Sequence, residues 1–263
     1  MPVRRATHLR RPSKLIISTI LVYNGELGRT GGNGRTERIP HTGREKRRNK
    51  VRLTIVYDNT TRRDDCGADW GFSCVVEAHG RRLLFDTGTK GELLLANMST
   101  LGIEPASIDE VVISHEHFDH LGGLPAFIDR RGSLPVHLPR GCPKPAGDAG
   151  FSWVNHQAVE LATGLQSTGT LGGIEQGLVV ELERGVAVIV GCSHPGADNL
   201  LEAARAVGEP QALIGGLHGF RRLGALKGLK LVCPTHCTVF KGRIRHSFPT
   251  AYRAGGVGTV IDL

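Results

Sequence analysis

Val111-Val112-Ile113-Ser114-His115-Glu116-His117-Phe118-Asp119-His120-Leu121-Gly122-Gly123-Leu124 is the stretch on which the reading of this chain turns. It opens as a short β-branched apolar run, the pattern of a buried strand. It then sets three histidines and an aspartate within six residues, and it closes on a Gly-Gly pair before an apolar, helix-like segment. That is the layout of a metal site on a strand-to-helix loop. Imidazole and carboxylate are ligands that suit Zn²⁺, and also Fe or Mn. His115 and His117 lie two apart, so in an extended loop their rings project to one side and can close on one ion. Asp119 and His120 are adjacent and cannot both join that ion in the same way, so a second neighbouring ion is the economical arrangement. A zincin helix would space its ligands H-E-x-x-H. Here the spacing is H-E-H-x-D-H, which gives Glu116 no claim as a general base and points it away from the metals. The plain alternative is a His-rich surface loop without metal, which so dense a ligand set directly after a buried strand argues against.

Working outward, residues 51–57 alternate and read as a strand, ending in Asp58-Asn59. Residues 70–77, opening on Trp70, and 82–85 form two further strands around a His79-Gly80 turn. The second of these runs into Phe85-Asp86-Thr87-Gly88. Residues 91–101 and 122–129 read as helices, and residues 135–177, rich in Pro, Gly and Ser, read as pocket-shaping loops with one strand near 154–161. The second half gives strands at 178–182 and 186–190, a helix at 198–207 with Asp198 as its cap, and strands ending at His218, His236 and the C-terminus. Four apolar strands thus end in histidine, at 115, 194, 218 and 236. One such residue is commonly a satisfied polar side chain. Four predict convergence at one sheet edge.

The 263 residues suffice for one large domain or two small ones. Charge is uneven: residues 1–50 hold 13 basic and 3 acidic side chains, a balance of +10, while the remaining 213 hold 20 and 22, a balance of −2. The high pI therefore belongs to residues 1–50, which are expected to form a basic, disordered extension ahead of a domain over 51–263. Arg44 to Lys50 could touch RNA or anionic lipid, a solvated charge run being the usual case. A start site placed too far upstream would also explain the abrupt change at Val51. The near-neutral body argues against nucleic acid as partner of the folded domain. No apolar run is long enough for a membrane helix, and no cleavable leader is read. The six cysteines lack a disulfide framework, so a cytoplasmic protein is expected. Cys233 and Cys237 flank His236, which opens redox or metal roles, although such residues are commonly small buried hydrophobes.

Ser114-His115-Glu116-His117-Phe118-Asp119-His120-Leu121-Gly122-Gly123 resembles the H-x-H-x-D-H signature of the metallo-β-lactamase superfamily. The resemblance implies an α/β fold, an αββα sandwich with a two-metal site at one edge of the sheets, and hydrolysis by metal-activated water. It implies one ion on His115, His117 and His194 and another on Asp119, His120 and His236, with Asp86 behind the metal histidines. The chain departs from the pattern in one respect. Gly191-Cys192-Ser193-His194 stands where a bridging carboxylate is expected, which leaves the bridge to solvent and the first site's third position open. Asp58-Asn59-Thr60, Asp69-Trp70-Gly71-Phe72-Ser73, Gly215-Gly216-Leu217-His218 and Pro234-Thr235-His236-Cys237-Thr238 extend the resemblance over residues 51–263. They are similar to the branch of 7,8-dihydropterin-6-yl-methyl-4-(β-D-ribofuranosyl)aminobenzene 5′-phosphate synthases. That branch implies a small-molecule substrate, handled as hydrolase or pterin-type synthase, with Asp119 the catalytic candidate and His218, Asp58, Asn59 and Trp70 candidate substrate or metal contacts. A nucleic-acid-processing phosphodiesterase of the same superfamily and a non-catalytic metal-dependent binding module are the alternatives.

Overall fold

Strands that are mostly apolar throughout build two sheets whose central strands are buried on both faces. The computed structural model describes residues 50–263, so the extension expected over residues 1–50 lies, except for Lys50, outside the described residues. In chain order the elements are β1 (Arg52–Tyr57), β2 (Ser73–Ala78), β3 (Arg81–Phe85), α1 (Gly91–Thr100), β4 (Glu110–Val112), α2 (Phe118–Leu121), α3 (Leu124–Arg131), β5 (Pro135–Pro139), β6 (Gly150–Val154), β7 (Val159–Ala162), β8 (Leu165–Ser167), β9 (Leu178–Glu181), β10 (Val186–Val190), α4 (Ala197–Ala204), β11 (Pro210–Gly216), β12 (Leu231–Thr235), α5 (Lys241–Ser247) and β13 (Val260–Asp262). One sheet runs β13-β1-β2-β3-β4-β5-β6, the other β12-β11-β10-β9-β8-β7.

The side-chain period of two sorts each strand into two cores. Leu53, Cys74, Val76, Leu83 and Phe85 of the first sheet meet Val180, Ala187, Ile189 and Ile214 of the second in the central layer. Val75, Leu84 and Val111 face outward onto Leu94 and Met98 of α1 and Phe127 of α3. Val186, Val188 and Val190 face outward onto Leu200, Leu201 and Ala204 of α4. The result is the expected αββα sandwich.

Strand direction explains where chemistry collects. β3 and β4 are parallel, and β1, antiparallel to β2 as β2 is to β3, runs with them. β10, β11 and β12 are also mutually parallel. The C-terminal ends carrying Asp58, Asp86 and His115 thus share one edge of the first sheet. Those carrying Cys192, His218 and His236 share one edge of the second.

Three local expectations are revised. Residues 135–177 hold four strands rather than loops, β5 to β8, of which β6 and β7 are mostly solvent-facing and so lack an apolar signature. Asp198 does not cap α4. Gly196, at φ 101°, precedes the helix, and Asp198 lies in its first turn, bound by Arg222 at 2.7 and 2.6 Å. The ligand loop itself is partly helical, with Asp119 and His120 on the single turn α2.

Candidate metal centre

The loop after β4 delivers its ligands because the chain must turn there. His115 remains extended and fully buried, His117 sits exposed at the entry to α2, and Asp119 and His120 turn inward on that helix. The rings of His115 and His120 lie 4.1 Å apart, those of His115 and His117 4.7 Å. From the second sheet His194 approaches His115 and His117, with centroids at 4.7 and 4.9 Å, while His236 approaches His120 at 5.0 Å. Five imidazoles from the ends of three strands therefore form one contiguous cluster. Glu116 is exposed and makes no hydrogen bond in it.

Hydrogen bonding decides which nitrogens carry protons. His120 Nδ1 is 2.7 Å from Asp86 Oδ2, and the same carboxylate accepts from the Ser114 amide at 2.6 Å and hydroxyl at 2.7 Å. Ser114 Oγ, its proton so used, accepts from His115 Nδ1 at 2.8 Å. His236 Nδ1 donates to Asn59 Oδ1 at 2.8 Å, an oxygen that also accepts the Gly71 amide. Each of these three rings thus spends its N–H on a support and turns an Nε2 lone pair toward the cluster.

Two buried Nε2 atoms find no proton, while His120 Nε2 faces the Cys192 sulfur at 3.2 Å. Nε2 of His115 and of His194 are buried without a hydrogen-bond partner. His236 Nε2 lies 3.2 Å from Asp119 Oδ2, which already accepts Trp70 Nε1–H at 2.8 Å. Two acceptors at that distance repel unless a cation lies between them. Tetrahedral coordination with bonds of about 2.0–2.1 Å separates ligand atoms by about 3.3 Å, so the spacing is an edge of a coordination polyhedron. Burial and neighbouring imidazoles also push His115, His120 and His194 below the ordinary histidine range, keeping them neutral and ligand-competent. These donors fit divalent metal.

The remaining candidates occupy distinct places. Asp58 is fully buried and accepts the amides of Asn59 and His236 at 2.7 and 2.9 Å, so it sets the backbone of the ligand rather than facing solvent. Asn59 orients the His236 ring. Trp70, half exposed, stands edge-on to His236 at 4.9 Å and forms a wall of the opening. His218 is exposed, 5.4 Å from His194, at the rim. Four of the five non-glycine residues with positive φ, Asp86, Ser193, His218 and His236, lie in this cluster. Such backbone costs on the order of 1–3 kcal/mol per residue and gathers at functional sites.

Two residues escaped the sequence reading. Glu175, fully buried, accepts the amides of Gly191, Cys192 and Ser193 on Oε1 at 3.0–3.1 Å and that of His194 on Oε2 at 2.8 Å. It ties down the loop that presents His194. Burial pushes its carboxyl up to about 7, the amides of His194, Ser193 and Cys192 working against that rise. A lone glutamate in a Gly-rich segment carries no signal of this role. Cys192, 3 % exposed, has its sulfur 3.2 Å from His120 Nε2, and it completes two groups of donors, with His115 and His194 and with His120 and His236, each spanning no more than 4.8 Å. Burial makes a cysteine look like a core residue, and only its place in the segment expected to bridge would have singled it out. Cys233, by contrast, lies in the central apolar layer.

Comparison with known proteins identifies the family and the fold. The model of the metallo-beta-lactamase superfamily matches residues 69–236. A Methanocaldococcus jannaschii protein named 7,8-dihydropterin-6-methyl-4-(beta-D-ribofuranosyl)-aminobenzene-5'-phosphate synthase is 27% identical over 236 residues, covering 65% of this chain and 80% of that protein. The fold is shared with a solved structure described as a metal-dependent hydrolase of the beta-lactamase superfamily, at TM-score 0.66 and 24% identity over 81% of this chain and 99% of the other. It is also shared with a metallo-beta-lactamase fold protein from Bacillus subtilis, at TM-score 0.61 and 14% identity over 82% and 100%.

Proposed function

The chain belongs to the metallo-beta-lactamase superfamily, and on that footing we propose that it is a two-metal enzyme acting on a phosphorylated or ester-like small molecule. His115, His117 and His194 would hold one ion, and Asp119, His120 and His236 the other. Zn²⁺ suits the histidine-rich set best, with Fe or Mn as substitutes. The observation that carries the reading is the meeting of unprotonated acceptors, His236 Nε2 against Asp119 Oδ2 at 3.2 Å with two further buried Nε2 atoms unpartnered. A bound metal pair supplies Lewis acidity toward a carbonyl or phosphoryl oxygen and lowers the pKa of water.

The chain's own groups supply the rest. Trp70 Nε1–H fixes Asp119 Oδ2, a placement that suits orienting a nucleophile. Trp70, beside His236, and His218, beside His194, are exposed at the cluster and suit a planar or anionic substrate group. The M. jannaschii relative's name contains a pterin, an aminobenzene and a phosphate, and a substrate of that general class would use both walls. In a synthase reaction Asp119 would hold metal only, with an arylamine as nucleophile. The near-neutral composition of residues 51–263 favours a small molecule over a nucleic acid.

Metal analysis of the purified full chain tests this reading. Wild type should carry about two tightly held divalent ions, and His117→Ala one or none. Protein that holds no metal under either reducing or metal-supplemented purification ends the proposal. Turnover of a generic phosphodiester against a lactone then separates the substrate classes, and no turnover by the two-metal form would favour a binding module.

A further inference from the structure

The two ligand sets share one atom. Cys192 Sγ stands in both tight donor groups, with His115 and His194 on one side and His120 and His236 on the other. Its closest approach, 3.2 Å, is to His120 Nε2, whose ring has already given its Nδ1–H to Asp86. No carboxylate stands in either donor group. Glu175 spends both oxygens on four amides, Asp86 spends both on Ser114 and His120, and Asp119 approaches from the His236 side. The backbone is arranged to hold the sulfur there. Glu175 grips the amides of residues 191–194, Ser193 is in the left-handed region, and its hydroxyl is anchored to the Gly216 carbonyl at 2.8 Å. Cys237 completes the surroundings, its thiol donating to Cys192 Sγ at 3.2 Å.

We propose that the Cys192 sulfur bridges the two metal ions as a thiolate, in the place where a carboxylate bridge would otherwise stand. The proposal rests on the two-metal reading above. Zinc–sulfur bonds of about 2.3 Å allow one sulfur to span ions about 3.5–4 Å apart. Binding releases the Cys192 thiol proton to solvent, as coordination of a thiol requires. The soft donor then selects Zn²⁺ over Mn²⁺ and Mg²⁺ at both positions at once. Cys237 is a positioning residue that acts through the sulfur without binding metal.

X-ray absorption at the zinc edge of the full-length zinc-loaded protein, with zinc counted on the same sample, decides the matter. A bridge gives every zinc one sulfur neighbour, about one per zinc on average, whereas a terminal ligand of one ion gives about one half. Cys237→Ser should leave that number unchanged, Cys192→Ser should abolish the sulfur shell and weaken zinc retention by at least about tenfold, and Cys192→Asp should abolish the shell while keeping two zinc ions. Two zinc ions with half a sulfur each, or none, would overturn the bridge and leave the two-metal reading standing. A single zinc per chain would overturn both. Loss of sulfur in Cys237→Ser instead of Cys192→Ser would reassign the ligand and likewise end the proposal.

Discussion

Glu175 shows how much of a candidate metal site can rest on a residue outside its donor groups. Its two oxygens take four amide protons from the loop that carries Cys192 and His194, so the loop's curvature is set before any cation arrives. Glu175→Gln keeps size but must place an NH₂ against an amide donor. Leaving that donor buried and unpaired should cost about 1–3 kcal/mol, and losing a ligand support should weaken metal binding by about 10–100-fold. Denaturant unfolding and competition with a chromogenic chelator measure the two effects, and unchanged metal affinity would show that the loop holds His194 without Glu175. Gly191 is constrained from the other side. A Cβ there would fall 2.1 Å from Ser114 Oγ and 3.0 Å from His115 Nδ1, which would break the relay from Asp86 through Ser114 to His115. Gly191→Ala should therefore destabilise by about 1–3 kcal/mol and, unlike a remote overpacking, lower zinc affinity as well. An Ala variant that unfolds earlier yet binds zinc normally would place the strain elsewhere.

At the scale of elements, a polar seam crosses four neighbouring strands of the first sheet. Arg81 of β3 pairs with Glu110 of β4, Glu110 Oε2 meets His137 Nε2 of β5 at 2.7 Å, and His137 Nδ1 meets Ser152 Oγ of β6 at 3.0 Å. Glu110 is nearly buried, and its carboxyl is held below the ordinary range by the His137 hydrogen bond, with burial opposing and Arg81 assisting. A carboxyl lowered in the fold contributes stability above its unfolded pKa of about 4.5, and that contribution drains away as pH falls through the lower folded value. Glu110→Gln should accordingly cost about 1–3 kcal/mol at neutral pH and flatten the loss of stability below pH ~4.5, as read from denaturant curves at stepped pH. A variant with the parent's acid profile would assign that loss to other carboxylates. The seam also shows what the sequence withheld. β4, β10, β11 and β12 are legible because strands buried on both faces must be apolar throughout. β6 and β7 place most of their side chains in solvent, and β5 begins and ends in proline, so their pairing is written in backbone hydrogen bonds that leave no trace in residue type. The ligand set was legible for a related reason: histidine at the end of an apolar strand is conspicuous, whereas cysteine and glutamate in a Gly-rich loop are not.

For the molecule as a whole, the cluster is a place where polar groups from the two sheets meet. Ligands after β4 belong to the first sheet, those after β10 and β12 to the second, and each proposed ion draws from both. The metals would therefore bind the folded arrangement and have no preformed site in the unfolded chain, so their affinity adds directly to stability. A site kept at about a thousand times its dissociation constant contributes about 4 kcal/mol. For a domain of this size that corresponds to a fall of roughly 8–16 °C in melting temperature on removing the metal. The central layer, with Leu53, Val76, Phe85, Ile189 and Ile214 buried, is held by apolar contact. Chelated protein should thus keep its secondary structure at room temperature while melting earlier, and zinc should restore the transition. The same measurement applied to a chain beginning at Lys50 separates the basic segment from the fold. Because Val51 is already paired with Leu263 through reciprocal backbone bonds, the shortened chain should melt with the same metal-dependent shift, while its salt-sensitive retention on an anionic resin falls with the lost charge. A shortened chain whose transition no longer responds to zinc would make residues 1–49 part of the metal-binding unit.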